Sequence, residues 1–216
     1  MLKEVFRIIS IWIVVLPLVA GFINFRGLNN DSRWIFFLVL AALAPQLLTF
    51  FINKETWVLN ASYNIYTIIE FVILFLVIKR KYNTSLSKYV VFSTVVLYAI
   101  IALILFVKKG ISNRFLNDLV CVNNIVYMIW ILFLLKEQFH TPDTLIEKRN
   151  PFAWYLLALL IYSPCTVFAF SLYHYMREGH SGFLQNIWIV QSICNILLYL
   201  LFSVGLFISD QKNEFA

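Results

Sequence analysis

The run Ala61–Lys81, ASYNIYTIIEFVILFLVIKRK, decides the fold class. From Ala61 to Ile78 it carries a single charged residue, Glu70, and the basic triplet Lys79-Arg80-Lys81 follows at once. At 1.5 Å per helical residue, a stretch of roughly 18 residues crosses a hydrocarbon layer of about 30 Å. Basic residues collecting at the end of such a stretch mark a membrane boundary. A barrel strand would be shorter and would alternate polar with apolar positions, which this run does not.

Working outward, six further stretches share this character, at about 8–25, 35–51, 89–107, 116–135, 152–171 and 183–208. The expectation is an all-α polytopic membrane protein, a bundle of seven transmembrane helices forming one domain over residues 1–216. Composition agrees: 62% of residues are hydrophobic and 13% charged, against about 45–50% and 25% in soluble domains. The first stretch follows a basic start, Met1–Arg7, and Val19-Ala20-Gly21 resembles a signal cleavage site. Its apolar run exceeds a usual signal core, so it is read as a genuine span. The longest connection, Lys136–Asn150, holds the turn signal Thr141-Pro142-Asp143.

The net charge of +6 sits in short connections at span ends, where topology and anionic headgroups account for it. The lipid bilayer is therefore the expected partner, and nucleic acid is not. With seven spans, ten basic residues fall on the face of Lys79-Arg80-Lys81 and seven on the other. The positive-inside rule then puts the amino terminus outside and the carboxyl terminus in the cytoplasm of a plasma or inner membrane. The cysteines, Cys121, Cys165 and Cys194, all fall inside spans and read as small buried hydrophobes.

A charged carboxylate in mid-bilayer costs about 2.5–3.5 kcal/mol on insertion scales, so Glu70 demands a partner, a proton or a water-filled cavity. Residues three and four apart share a helix face. Asn60, Asn64, Thr67 and Glu70 form such a stripe in the third span, as do Asn117, Cys121, Asn124 and Tyr127 in the fifth. Gln191, Asn195 and Tyr199 do so in the seventh, and Gln46 lies at matching depth in the second. The expected ligand-binding set is Glu70, Asn64, Thr67, Asn124, Gln191, Asn195 and Gln46, with Glu70, Asn124, Gln191 and Asn195 lining one outward pocket. The plainer alternative is that the amides pair with one another as interhelical glue, at about 0.6–2 kcal/mol per bond.

Other chemistries find less support. Retinal needs a lysine deep in a span, and every lysine here lies at a span end, in a connection or in a tail. His140 falls on the face opposite His174 and His180, so the three cannot converge on a metal, although Tyr173–His180 could bind one by itself. No cofactor or metal is expected. A paired-acid enzyme would set Glu70 against Asp118, which enters its span by only about two residues.

Pro45-Gln46 resembles the dipeptide of PQ-loop carriers, with Pro164-Cys165 in the equivalent helix of a second triplet. Tyr66-Thr67-(x)2-Glu70 also aligns with Gln191-Ser192-(x)2-Asn195. In that family, however, the dipeptide occupies the first helix of each triplet and not the second. The stretches Asn64–Phe75, Pro151–Ser163 and Ile187–Gly205 resemble those of small seven-helix membrane proteins encoded by Bacteroidota, a likeness that implies the fold and no activity. Three functions stay open. The first is a small-ligand sensor relaying through a protein partner. The others are a proton-coupled carrier of a small polar solute and a lipid-modifying enzyme.

Overall fold

The computed structural model describes the backbone of residues 2–52, 56–140, 150–176 and 181–211, and side chains at 5, 6, 8–52, 56–137, 150–172 and 187–209. Every regular element among them is helical: α1 Leu2–Trp12, α2 Val15–Ile23, α3 Asn30–Phe51, α4 Trp57–Ile78, a 3-10 turn Lys79–Lys81, α5 Ser85–Lys109, α6 Asn117–His140, α7 Pro151–Met176 and α8 Ser181–Gln211. Six helices, α3 to α8, are long and apolar enough to cross a membrane. Large apolar side chains such as Phe92, Leu103, Val107, Leu132 and Phe207 stand on their outer surfaces. Such a surface suits lipid, and the chain reads as a multi-pass membrane protein.

The expectation of seven continuous spans is corrected at the first. Residues 8–25 do not form one helix: α1 ends at Trp12 and α2 begins at Val15. Pro17 explains the break. It lacks an N–H, and its ring would collide with the carbonyl of Ile13 in a continuous helix. Restarting at Val15 places Pro17 in the first turn, where no donor is needed. The Leu16 N–H then turns back to the Ile13 carbonyl at 3.1 Å, a 3-10 bond at the joint. Helices α3, α4 and α5 overrun their apolar stretches because polar caps begin them a turn early. The Asn29 side chain accepts from the Ser32 N–H, Thr56 from Leu59 and Thr84 from Ser87.

Helix α6 is the central strut. Leu119, Tyr127, Trp130, Ile131 and Leu134 are all essentially buried. Phe71 of α4 stacks on Tyr98 of α5 at 3.7 Å and lies 5.2 Å from the Trp130 ring. The Trp130 indole N–H donates to Thr94 Oγ1 at 2.7 Å, so the buried ring keeps its polar edge satisfied. Toward the α4–α5 connection, Ile35, Val39, Leu74, Val77, Ile78, Tyr155, Phe202 and Leu206 fill the interior. Charges gather at helix ends: Asp31 pairs with Lys81, Asp118 pairs with Lys109, and the Lys81 ammonium lies 4.8 Å from the Phe152 ring centroid.

Candidate functional site

Glu70 lies about 12 Å along α4 from Ile78, at 1.5 Å per residue, and one heptad beyond Tyr63. Positions 63, 66 and 70 share a face, and that face borders a cavity of about 310 Å³ between α1, α3, α4, α7 and α8. Helix α3 contributes Gln46 and Thr49, α4 contributes Tyr63, Tyr66 and Glu70, and α7 contributes Tyr162. From α8 come Trp188, Gln191, Ser192, Asn195, Leu198 and Tyr199, and α1 adds Ser10 and Ile11. The cavity occupies the half of the bundle nearer the α3–α4 connection, and the packed half described above closes it on the other side.

Hydrogen bonds hold the wall in place. Pro45 removes one backbone donor inside α3, and Thr49 Oγ1 bonds to the Pro45 carbonyl at 2.8 Å. Thr49 also shares a 2.7 Å bond with Tyr63 Oη, tying α3 to α4. Gln46 Nε2 donates to Tyr199 Oη at 2.8 Å, tying α3 to α8. Gln191 Nε2 reaches Thr166 Oγ1 of α7 at 3.1 Å. Asn195 Nδ2 donates to the Ser10 carbonyl at 3.2 Å and to Ser10 Oγ at 2.8 Å. Ser10 sits one turn before the α1–α2 break, so the interrupted helix is fastened to α8 at the cavity wall.

Glu70 differs from these amides. Among the described residues its carboxyl has no hydrogen bond and no ion pair, and no Lys, Arg or His lines the cavity. A carboxyl in mid-bundle is costly to leave without a partner, a proton or water beside it.

Of the sequence-derived set, Glu70, Gln46, Gln191 and Asn195 come together. Asn64, Thr67 and Asn124 do not line this cavity. At about 100° per residue, each step of three along α4 drifts by roughly 60°, so Asn64 ends about 120° away from Glu70. Asn64 faces the α5–α6 connection instead: Nδ2 donates to the carbonyls of Ile111 at 2.7 Å and Arg114 at 3.0 Å, and Oδ1 accepts from the Leu116 N–H at 3.0 Å. Thr67 Oγ1 bonds back to the Tyr63 carbonyl within its own helix. Asn124 Nδ2 likewise bonds to the Val120 carbonyl of its own helix, away from the cavity. Asp118 is engaged by Lys109 at a helix end, so it is not a second acid for Glu70.

Sequence reasoning missed Tyr63, Tyr66, Tyr162, Trp188 and Ser10. The first two were open to discovery, seven and four residues before Glu70 on its own face. Ser10 carried no such signal. The side chains of His140 and of Tyr173–His180 lie outside the described residues. Among the described residues, no group of three or more His, Cys, Asp or Glu side chains is placed to hold a metal ion. No protein-family model, curated protein or solved structure matches this chain.

Proposed function

We propose that this chain is an integral membrane protein that binds a small polar ligand in the Glu70 cavity and works as a receptor-like sensor, relaying occupancy to a protein partner. The observation that carries the reading is the unpartnered Glu70 carboxyl facing about 310 Å³ of space, at the small end of the roughly 300–1,000 Å³ of ligand sites. A polar pocket in one half of the bundle, beside a close-packed interior in the other, suits a sensor better than a conduit. The basic triplet Lys79-Arg80-Lys81 supports a cytoplasmic assignment for the filled end, which would turn the cavity outward from a plasma or inner membrane. The carboxyl terminus would then be cytoplasmic and the amino terminus outside.

Labelling tests this reading. In a background with Cys121, Cys165 and Cys194 replaced by serine, Gln191→Cys and Ser192→Cys should react on intact cells with a membrane-impermeant maleimide. Asn124→Cys should stay unreacted. If both lining positions resist reagent from either side of the membrane, the cavity is not a solvent-reached site and the reading fails.

One feature favours a second reading, a carrier. Interrupted helices fastened beside a mid-membrane polar site are the working parts of many secondary carriers, and the α1–α2 break lies one turn from Ser10. A carrier would show solute uptake into proteoliposomes that depends on a pH gradient and disappears in Glu70→Gln. The lipid-modifying enzyme would need a second acid or nucleophile within reach of Glu70, and Asp118, the acid the sequence offered, is engaged by Lys109 instead.

A further inference from the structure

We infer that the cavity is built for a compact organic cation, a protonated amine on a small body, bound through Glu70 and carbonyl-type acceptors. The inference rests on the ligand-binding reading above and names its chemical class. It comes from the unpartnered Glu70 carboxyl and from the hydrogen bonds of the amides and hydroxyls beside it.

Thr166 Oγ1 donates to the Tyr162 carbonyl at 2.9 Å, which commits its only proton. It can therefore only accept from Gln191, and this sets the amide so that Nε2 points at Thr166 and Oε1 is left over. That Oε1 is buried and has no partner. Both N–H groups of Asn195 are taken by Ser10, which leaves its Oδ1 as an acceptor. The Thr49 hydroxyl proton goes to the Pro45 carbonyl, so Tyr63 must donate to Thr49 and keeps only lone pairs. Ser192 Oγ donates to the Trp188 carbonyl. Gln46 gives a donor to Tyr199 and retains an unpartnered Oε1.

The wall thus holds two buried, unpartnered acceptors beside the cavity, the Oε1 atoms of Gln46 and Gln191. The donors not yet accounted for are the hydroxyls of Tyr66 and Tyr199, both near Glu70 in the cavity wall, and the second N–H of each of Gln46 and Gln191. Among the described residues the one formal charge in the wall is the carboxylate. An anionic ligand would meet that charge with no Lys, Arg or His among the described wall residues to offset it. An ammonium group brings donors only, up to three N–H and no lone pair. The faces of Tyr66, Tyr162 and Trp188 add the aromatic surface on which such cations rest. A bare metal ion would use the same acceptors and leave most of the 310 Å³ and the rings unoccupied.

Thermal unfolding of the full chain in lipid nanodiscs tests this, at constant ionic strength in potassium chloride. The probes are ethanolamine, tyramine and spermidine as cations, glycerol and glucose as neutral polyols, inorganic phosphate and acetate as anions, and sodium chloride as the bare ion. At least one amine should raise the midpoint saturably. Glu70→Gln should weaken its apparent affinity about ten-fold or more, Gln191→Leu should weaken it in the same direction, and Asn124→Ala should leave it unchanged. If no amine shifts the midpoint, or if Glu70→Gln and Gln191→Leu leave amine affinity unaltered in folded protein, the inference is overturned whatever the other probes do. A shift with glucose, phosphate or sodium instead of an amine would overturn the cation and leave the ligand-binding reading standing. That reading stands or falls separately, on the maleimide labelling of Gln191→Cys and Ser192→Cys.

Discussion

Asn64→Ala should lower the stability of the chain by about 3 kcal/mol, from the loss of up to three hydrogen bonds and the exposure of one unpaired buried donor. In thermal unfolding this corresponds to a fall of about 6–12 °C for a chain of this size. Asn64 is 1% exposed, and its single amide holds the whole α5–α6 connection through Ile111, Arg114 and Leu116. Leu116 is itself buried, so its N–H finds no ready substitute in water. Amide exchange at Leu116 should accelerate in the variant before global unfolding sets in. Asn60, one turn earlier and with no side-chain hydrogen bond among the described residues, provides the comparison: Asn60→Ala should cost under about 1 kcal/mol. Ligand binding should survive in Asn64→Ala, because its side chain points away from the cavity. Loss of binding with unaltered stability would return Asn64 to the site and contradict the placement above.

The same residue shows where sequence reasoning succeeds and where it stops. The depth of Glu70 could be read from the apolar run around it, because the cost of a carboxylate in lipid does not depend on which neighbour it meets. Gln191, Asn195 and Tyr199 were legible as one face because their spacing repeats at four residues and stays within about 40° per step. Asn64 and Thr67 were grouped with Glu70 by chained steps of three, and the accumulated rotation carried them to another neighbour. Asn124 was misplaced because an amide in a membrane helix can satisfy a donor on its own turn, as it does with Val120. The break before α2 was hidden by composition: hydropathy counts Pro17 as one residue among many, whereas its effect is on the backbone donor it lacks and the carbonyl it obstructs. Ser10 could not have been found without that break, since its role follows from where the interrupted helix meets α8.

Gly205→Ala should destabilise the bundle by about 1–3 kcal/mol through overpacking, although alanine improves helix propensity by about 1 kcal/mol over glycine. Which effect wins depends on whether the neighbouring ring can yield. A Cβ at position 205 would overlap the Tyr155 ring at Cε1, Cδ1 and Cζ. That ring is 1% exposed, packs edge-on against Phe202 at 5.7 Å, and donates its hydroxyl proton to Ser32 Oγ at 2.8 Å. Held by α3 on one side and α8 on the other, it has nowhere to retreat. Small residues at such crossings are what allow membrane helices to approach closely without a hydrophobic drive between them. Tyr155→Leu alone should also destabilise, by emptying ring volume and stranding the buried Ser32 hydroxyl. Combined with Gly205→Ala, however, it removes the obstruction, so the double variant should be more stable than the sum of the two losses by about 1 kcal/mol or more. Chemical or thermal unfolding of the four proteins in one lipid environment measures that coupling directly. Strict additivity would mean that the α7–α8 crossing is not set by the contact between Gly205 and Tyr155.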